Sequence, residues 1–249
     1  MDIKHGISII NHKGGVGKTT TAINISACWG KMGKRVLLVD LDPQGSASIS
    51  LGVRDEGRAL LNALQGSDSL PVASTLADGL DLVPAGPKLA EARQRFTGSL
   101  GKELLAKCLK RTKGDWDWIV IDCPPSLGVL TMMAMWASSR VIITVEASFL
   151  SLGGLNQMLE TIEQVKRKHP GLELTAVIPC RAHPRRRMHW EAMEKFEEMF
   201  PGKVSPAVRE NVSLAEAPGR GMPVILSSPS SHGAADYQEV AGFLLRHLK

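Results

Sequence analysis

Short, almost wholly apolar runs alternate along this chain with longer stretches in which apolar residues recur every three to four positions. Gly6-Ile7-Ser8-Ile9-Ile10-Asn11 reads as a buried strand, and Thr19 to Met32, ended near Gly33, as the helix after it. Further strands are expected at Arg35-Val36-Leu37-Leu38-Val39-Asp40, Leu80-Asp81-Leu82-Val83-Pro84, Trp118-Ile119-Val120-Ile121-Asp122, Val141-Ile142-Ile143-Thr144-Val145 and Leu174 to Pro179. Helices fill the gaps. The clearest carries Leu152, Leu155, Leu159, Ile162 and Val165 on one face, and others span roughly 58–65, 99–112, 186–200 and 234–248. Strands apolar at nearly every position are buried on both sides, which requires helices above and below a parallel sheet. The pattern therefore predicts an α/β fold: a single doubly wound, mostly parallel sheet with helices on both faces. No repeat, low-complexity tract or linker divides the chain, so one domain over residues 1–249 is expected, with 52–79 its least regular stretch.

Composition narrows the functional classes. With 43% hydrophobic and 22% charged residues in 249, wholesale disorder is excluded. No apolar run approaches the roughly 18–20 residues a membrane span needs, and the start of the chain has no signal-peptide pattern. Cys28, Cys108, Cys123 and Cys180 are scattered with no CxxC pair, against a zinc ribbon or disulfide framework and in keeping with a reducing cytoplasm. The net charge of +5 permits an anionic partner without requiring one.

Between the first strand and the first helix stands His12-Lys13-Gly14-Gly15-Val16-Gly17-Lys18-Thr19-Thr20. Glycines let a backbone curl so that several N–H groups face one anion, and the following helix aims its positive end at the same spot. In such a loop Lys18 reaches the β- and γ-phosphates of a nucleotide and the Thr19 hydroxyl holds Mg²⁺. Gly14, Gly15, Val16, Gly17 and Thr20 complete the expected nucleotide contact. A strict G-x-x-x-x-G-K-[ST] pattern fails at His12; present instead is K-G-G-x-G-K-T-T, with an extra lysine, Lys13.

Carboxylates close two of the strands. Asp40 ends the second, and Asp42 follows two residues on, biased toward extended geometry by Pro43. Residues i and i+2 of an extended chain face the same way, and parallel strands place ligands beyond their carboxyl ends. Both are expected to face the glycine loop. Asp122 ends another apolar strand ahead of Pro124-Pro125, and with a glycine loop upstream it reads as a carboxylate holding Mg²⁺ through water.

Asn11 to Thr20 resembles the deviant Walker A motif of the ParA/MinD-type P-loop ATPases. The resemblance runs on through Val39-Asp40-Leu41-Asp42-Pro43-Gln44-Gly45, Ile121-Asp122-Cys123-Pro124-Pro125-Ser126, Asn211-Val212-Ser213-Leu214-Ala215-Glu216-Ala217-Pro218 and the final helix from Gly233. It spans nearly the whole chain, and the Asn211–Pro218 segment points to ParA/Soj-type partition ATPases. What it implies is a slow, Mg²⁺-dependent ATPase. Asp42 orients the attacking water, Lys18 and Lys13 assist it, and Asn211 lies at the nucleotide. Asp40 sits near the magnesium waters with Thr19 and Asp122. Lys13 crosses to the nucleotide of a second subunit, so the ATP form is a homodimer. It also implies nonspecific double-stranded DNA as a ligand, a ParB-like activator, a role in chromosome or plasmid partition, and a cytoplasmic, nucleoid-associated location.

A basic cluster supplies the anion-binding candidate. Arg181, Arg185, Arg186 and Arg187 precede a helix carrying Glu191, Glu194, Glu197 and Glu198. Positive charge at a helix N-terminus opposes its dipole by roughly 0.3–1 kcal/mol per exposed charge, so folding alone does not favour it. Contact with duplex phosphates does, and a solvated arginine loop is the plain alternative. Arg185 matches a position where relatives place a DNA-contacting arginine. Relatives commonly carry Arg-Asn-Val-Arg where this chain has Glu210-Asn211-Val212-Ser213, and an Arg where it has His232; Arg220 is the compensating candidate. Other readings are a ParA-like ATPase that positions a protein cargo and a MinD-like membrane-surface ATPase. The latter needs a basic amphipathic tail beyond the last core helix, and neither such a tail nor stable membrane insertion is expected. An iron–sulfur relative needs a different cysteine spacing, and a kinase of this superfamily needs a tyrosine-rich tail where this chain has only Tyr237. No helix-turn-helix is expected ahead of the first strand.

Overall fold

The computed structural model describes residues 5–66, 69–96, 100–148 and 152–248. In chain order the elements are β1 (Gly6–Ile10), α1 (Lys18–Lys31), β2 (Val36–Asp40), α2 (Ser46–Ser50), α3 (Arg58–Leu64), β3 (Ala73–Ser74), β4 (Leu80–Val83), α4 (Ala92–Arg95), α5 (Leu104–Arg111), β5 (Trp118–Asp122), α6 (Val129–Trp136), β6 (Arg140–Glu146), α7 (Leu152–Lys166), β7 (Glu173–Cys180), α8 (Arg187–Met199), α9 (Val212–Glu216), α10 (Val224–Ser227) and α11 (His232–His247). The strands form one sheet in the order β3-β4-β2-β5-β1-β6-β7. Every neighbouring pair is parallel except β3 with β4. The doubly wound, mostly parallel sheet expected from the apolar runs is the fold.

All five residues of β1, β2 and β5 are buried, because both faces of these strands are covered. Within β2, Leu37 and Val39 join the core layer that includes α3, α5, α6 and α7, while Val36 and Leu38 join the layer of α1 and α11. This side-to-side alternation inside a uniformly apolar run is what a two-faced sheet demands. The second layer is tied together by polar contacts as well. Trp29 of α1 is fully buried, and its indole N–H donates to the Ala241 carbonyl of α11 at 3.1 Å.

Some elements differ from the sequence pattern. The helix expected over 99–112 is α-helical only from Leu104, after a 3₁₀ turn at Leu100–Glu103; residue 99 lies outside the described residues. The pattern misses α6, which is apolar almost all round and so has no amphipathic stripe. It misses α2, five residues with three serines, and β3, two residues long, because neither is long enough to show a period.

β1 sits mid-sheet. The chain passes from it to β2 on one side and later to β6 and β7 on the other. That reversal opens a crevice at the carboxyl ends of the strands, where open α/β sheets bind ligands.

Candidate nucleotide-binding site

The register sets the acidic residues beside one another. Asp40 pairs with Asp122 across β2 and β5, and Ile9 of β1 pairs with Asp122 from the other side. The loop after β1 thus rises next to both carboxylates. Gly15 and Gly17 take φ values of 74° and 86°, a left-handed conformation that residues with a Cβ rarely adopt. Gly17 caps α1, and a Cβ there would stand 3.0 Å from the Cys180 sulfur. The arch is held from within. Lys13 N–H donates to Asn11 Oδ1 at 2.8 Å, the Asn11 amide donates to the Thr144 carbonyl of β6, and Lys18 Nζ donates to the Lys13 carbonyl at 2.8 Å. Lys18 is only 6% exposed. Burial pushes its pKa down, opposed by the charges of Asp122, Cys123 and Asp42.

The three carboxylates have different surroundings. Asp40 is fully buried, and both of its oxygens accept hydrogen bonds: Oδ1 from Asp42 N–H at 3.0 Å, Oδ2 from Ser48 N–H at 2.9 Å and from the Ser48 hydroxyl at 2.7 Å. Burial nevertheless pushes Asp40 up to about 6. Asp122 is fully buried too, but no hydrogen bond of good geometry reaches either oxygen. Burial, then the neighbouring Asp40, hold it well above the usual carboxylate range, while the nearby Thr19 hydroxyl and Lys18 favour its charged form. Asp42 accepts Gln44 N–H on Oδ1 at 3.0 Å and lies on the wall of a cavity.

That cavity measures about 510 Å³, within the range of small-molecule sites. Gly14, Gly15, Gly17, Lys18, Thr19 and Thr20 line one end, with Asp42 and Pro125 beside them. The opposite wall consists of Cys180, Arg181, Val208, Arg209, Glu210, Asn211, Leu214 and Tyr237. It is stapled to the end of β7 by Val208 N–H to Pro179 O, Ala182 N–H to Val208 O and Glu210 N–H to Ala182 O, at 2.8, 3.0 and 3.2 Å. Asp236 of α11 braces it from behind, accepting both the N–H and the guanidinium of Arg209. Tyr237 meets the Thr21 hydroxyl at 3.1 Å, which anchors α11 to the first turn of α1. One end of the cavity can cradle phosphates and the other can flank a planar ring.

The family model described as an AAA domain matches residues 4–174. The sporulation initiation inhibitor protein Soj of Bacillus subtilis is 39% identical over 242 residues, covering 94% of this chain and 96% of that protein. This chain belongs to the ParA/Soj family of P-loop ATPases. The chromosome-partitioning ATPase Soj of Thermus thermophilus is 39% identical over 237 residues, covering 94% of this chain and 93% of that protein. Among solved structures, cobyrinic acid a,c-diamide synthase from Mycobacterium smegmatis with bound ADP and magnesium matches with a TM-score of 0.82 at 31% identity, over 98% of this chain and 94% of that one.

In this ParA/Soj-family chain the residues expected at the nucleotide come together on one cavity, apart from Val16, which is buried, and Lys13, which is exposed and not part of the wall. Asn211 lines it while also capping α9, accepting Ser213 N–H at 2.9 Å. The arginines expected to act together are split. Arg181 adopts φ 54° on the cavity wall and pairs with Glu210 at 3.1 Å. Glu210 thus holds Arg181 and also His183, the latter at 2.9 Å. Arg187 pairs with Glu191 and Arg220 with Glu216. Arg185 and Arg186 are exposed and make no ion pair among the described residues. Of the far wall, sequence reasoning placed Asn211 at the nucleotide and named Arg181 only as a DNA contact, and it assigned no site role to Cys180, Val208, Arg209, Leu214 or Tyr237. Cys180 was within reach of such reasoning, since it ends an apolar strand at the ligand-binding edge of the sheet; Tyr237 carries no local signal. No helix among the described residues is long and apolar enough to cross a membrane.

Proposed function

We propose that this ParA/Soj-family ATPase hydrolyses ATP slowly with Mg²⁺, dimerises in its ATP form and in that form holds duplex DNA without sequence preference. A ParB-like partner would stimulate hydrolysis and release it. On this reading it partitions chromosomal or plasmid DNA from a nucleoid-associated position in the cytoplasm. The observation that carries the enzymatic part is that Lys18, Thr19 and Asp42 line one cavity with the glycine loop. The donor set also suits a magnesium ion, because Asp122 brings two buried oxygens without hydrogen bonds to the end of β5 beside Thr19. When bound, Mg²⁺ would neutralise charge developing between the β- and γ-phosphates, held by the Thr19 hydroxyl and, through water, by Asp122. The chain's own residues do the rest. Loop amides and Lys18 orient the phosphates, and Asp42 orients the attacking water.

Lys13 is the residue assigned to the dimer, supported by its exposure next to the cavity-lining Gly14. Lys13→Ala on an Asp42→Ala background is expected to bind ATP yet remain monomeric by light scattering. Full dimerisation of that double variant would remove the cross-subunit role.

DNA binding is the part that an experiment tests most directly. If each subunit offers two to four arginines, a dimer neutralises roughly four to eight phosphates, and log K against log salt should fall with a slope of about −4 to −7. Replacing Arg185, Arg186 and Arg187 by alanine together should flatten that slope and leave basal ATP hydrolysis unchanged. An ATP-bound dimer with no salt-sensitive DNA binding would sink this part of the reading. Positioning of a protein cargo then becomes the better account, favoured by the ion pairs that already occupy Arg181, Arg187 and Arg220.

A further inference from the structure

Asp40 was expected to share the magnesium site, but its surroundings point elsewhere. Oδ1 takes the N–H of Asp42, and Oδ2 takes both the N–H and the hydroxyl of Ser48. Ser48 lies inside α2 and is fully buried. Its oxygen accepts the Ala85 N–H at 2.9 Å, just beyond the end of β4. An oxygen placed between a backbone donor and a carboxylate has one place for its own proton, so the hydroxyl is oriented toward Asp40. The result is a fixed chain of contacts from Ala85 through the Ser48 hydroxyl and the Asp40 carboxylate to the backbone N–H of Asp42. On its other side the same turn is pinned by Leu41 N–H to the Asp122 carbonyl at 3.0 Å.

We propose that Ser48 is a positioning residue for hydrolysis: its hydroxyl clamps Asp40, and Asp40 sets the backbone that presents the Asp42 carboxylate to the γ-phosphate end of the cavity. This division gives the two aspartates separate tasks, Asp40 to shape the turn and Asp42 to face the nucleotide. Ser48 and Asp40 are not among the residues lining the cavity, whereas Asp42 is. Loss of the clamp therefore leaves the phosphate cradle in place and lets the Asp42 carboxylate wander, and a misplacement near 1 Å lowers a rate by about tenfold to a hundredfold. The proposal rests on Asp42 being the water-orienting residue, so the test carries that variant alongside.

Ser48→Ala, Ser48→Thr, Ser48→Cys and Asp42→Ala are compared for single-turnover phosphate release and for equilibrium ATP binding in Mg²⁺. The expected result is that Ser48→Ala loses about tenfold to a hundredfold in turnover with ATP affinity within about threefold, and that Ser48→Thr, which keeps the hydroxyl, recovers most of it. Should Ser48→Ala fail to fold, Ser48→Cys, of similar volume but a weak donor, must show the same split between turnover and affinity. Full turnover in Ser48→Ala or Ser48→Cys, while Asp42→Ala loses it, overturns the clamp and spares Asp42. Parallel loss of affinity and turnover, or no recovery in Ser48→Thr, assigns Ser48 to packing alone and also overturns it. Full turnover in Asp42→Ala overturns the reading on which the clamp rests, and the clamp with it.

Discussion

Asp42→Ala is expected to bind ATP within about threefold of the unaltered chain while its turnover falls by roughly 10²–10⁴, the usual contribution of a positioned acid–base group. The two effects separate because the binding groups lie elsewhere. The loop amides, Lys18 and Thr19 are contributed by the β1–α1 connection, whereas Asp42 comes from the turn after β2. Phosphoryl transfer needs little from the protein beyond positioning and charge neutralisation, so removing the group proposed to orient water is expected to affect the rate rather than affinity. Stability should change little. The substitution removes the acceptor of one hydrogen bond, from Gln44 N–H, a loss of about 1 kcal/mol, or a fall of about 2–4 °C in melting temperature for a chain of this size. Phosphate release under single-turnover conditions, beside equilibrium ATP binding and a thermal melt, reads all three. Undiminished release would take Asp42 out of the chemistry.

Lys18→Ala has the opposite signature. ATP affinity should fall by about tenfold to a hundredfold or more, because each charge-assisted hydrogen bond to a phosphate contributes about 1.5–3 kcal/mol and Lys18 lines the cavity at its glycine-loop end. The fold should change little in stability. Burial pushes the Lys18 pKa down, which means that the ammonium is less favourable in the folded chain than in the unfolded one. A lowered lysine pKa contributes against stability at neutral pH, where the unfolded side chain is fully charged. Alanine therefore removes a strained charge along with the brace to the Lys13 carbonyl. Because alanine also withdraws the charge beside Asp122, these effects oppose one another, and the expected outcome is a melting temperature within a few degrees of the unaltered chain together with lost ATP binding. Calorimetric titration with ATP and a thermal melt of the same sample test it. Binding within about threefold of the unaltered chain would show that Lys18 does not face the phosphates.

Much of this molecule was legible before any tertiary contact. β1, β2 and β5 announce themselves because burial on both faces makes nearly every position apolar, the carboxylates falling only at the ends of β2 and β5. The phosphate cradle is legible for a different reason. Its chemistry is local, with glycine freedom, a helix start, a lysine and a threonine all falling within nine residues, so sequence spacing is spatial spacing. Asp42 and Asp122 follow from the same logic, since the carboxyl end of a parallel strand is a fixed place in the fold.

What the tertiary structure alone decided is which partner each polar group meets. The far wall of the cavity joins Cys180, Arg209 and Tyr237, and the contact that anchors it links Thr21 to a residue 216 positions later. No periodicity encodes such a pairing, because it arises from how α11 packs on α1. Arg181, Arg185, Arg186 and Arg187 form one basic run in sequence, yet Arg181 turns to Glu210 and Arg187 to Glu191, leaving Arg185 and Arg186 without ion pairs among the described residues. Asp40 and Asp42 read as equivalent by alternation. Ser48, itself oriented by the Ala85 N–H, arrives from α2 to satisfy Asp40, while Asp42 keeps its place on the cavity wall. The sequence determined the sheet, the cradle and the acidic strand ends through patterns of burial and local spacing. The roles of individual charges were settled by long-range neighbours, because a buried polar group is defined by what satisfies it, and that is supplied only when the chain has closed.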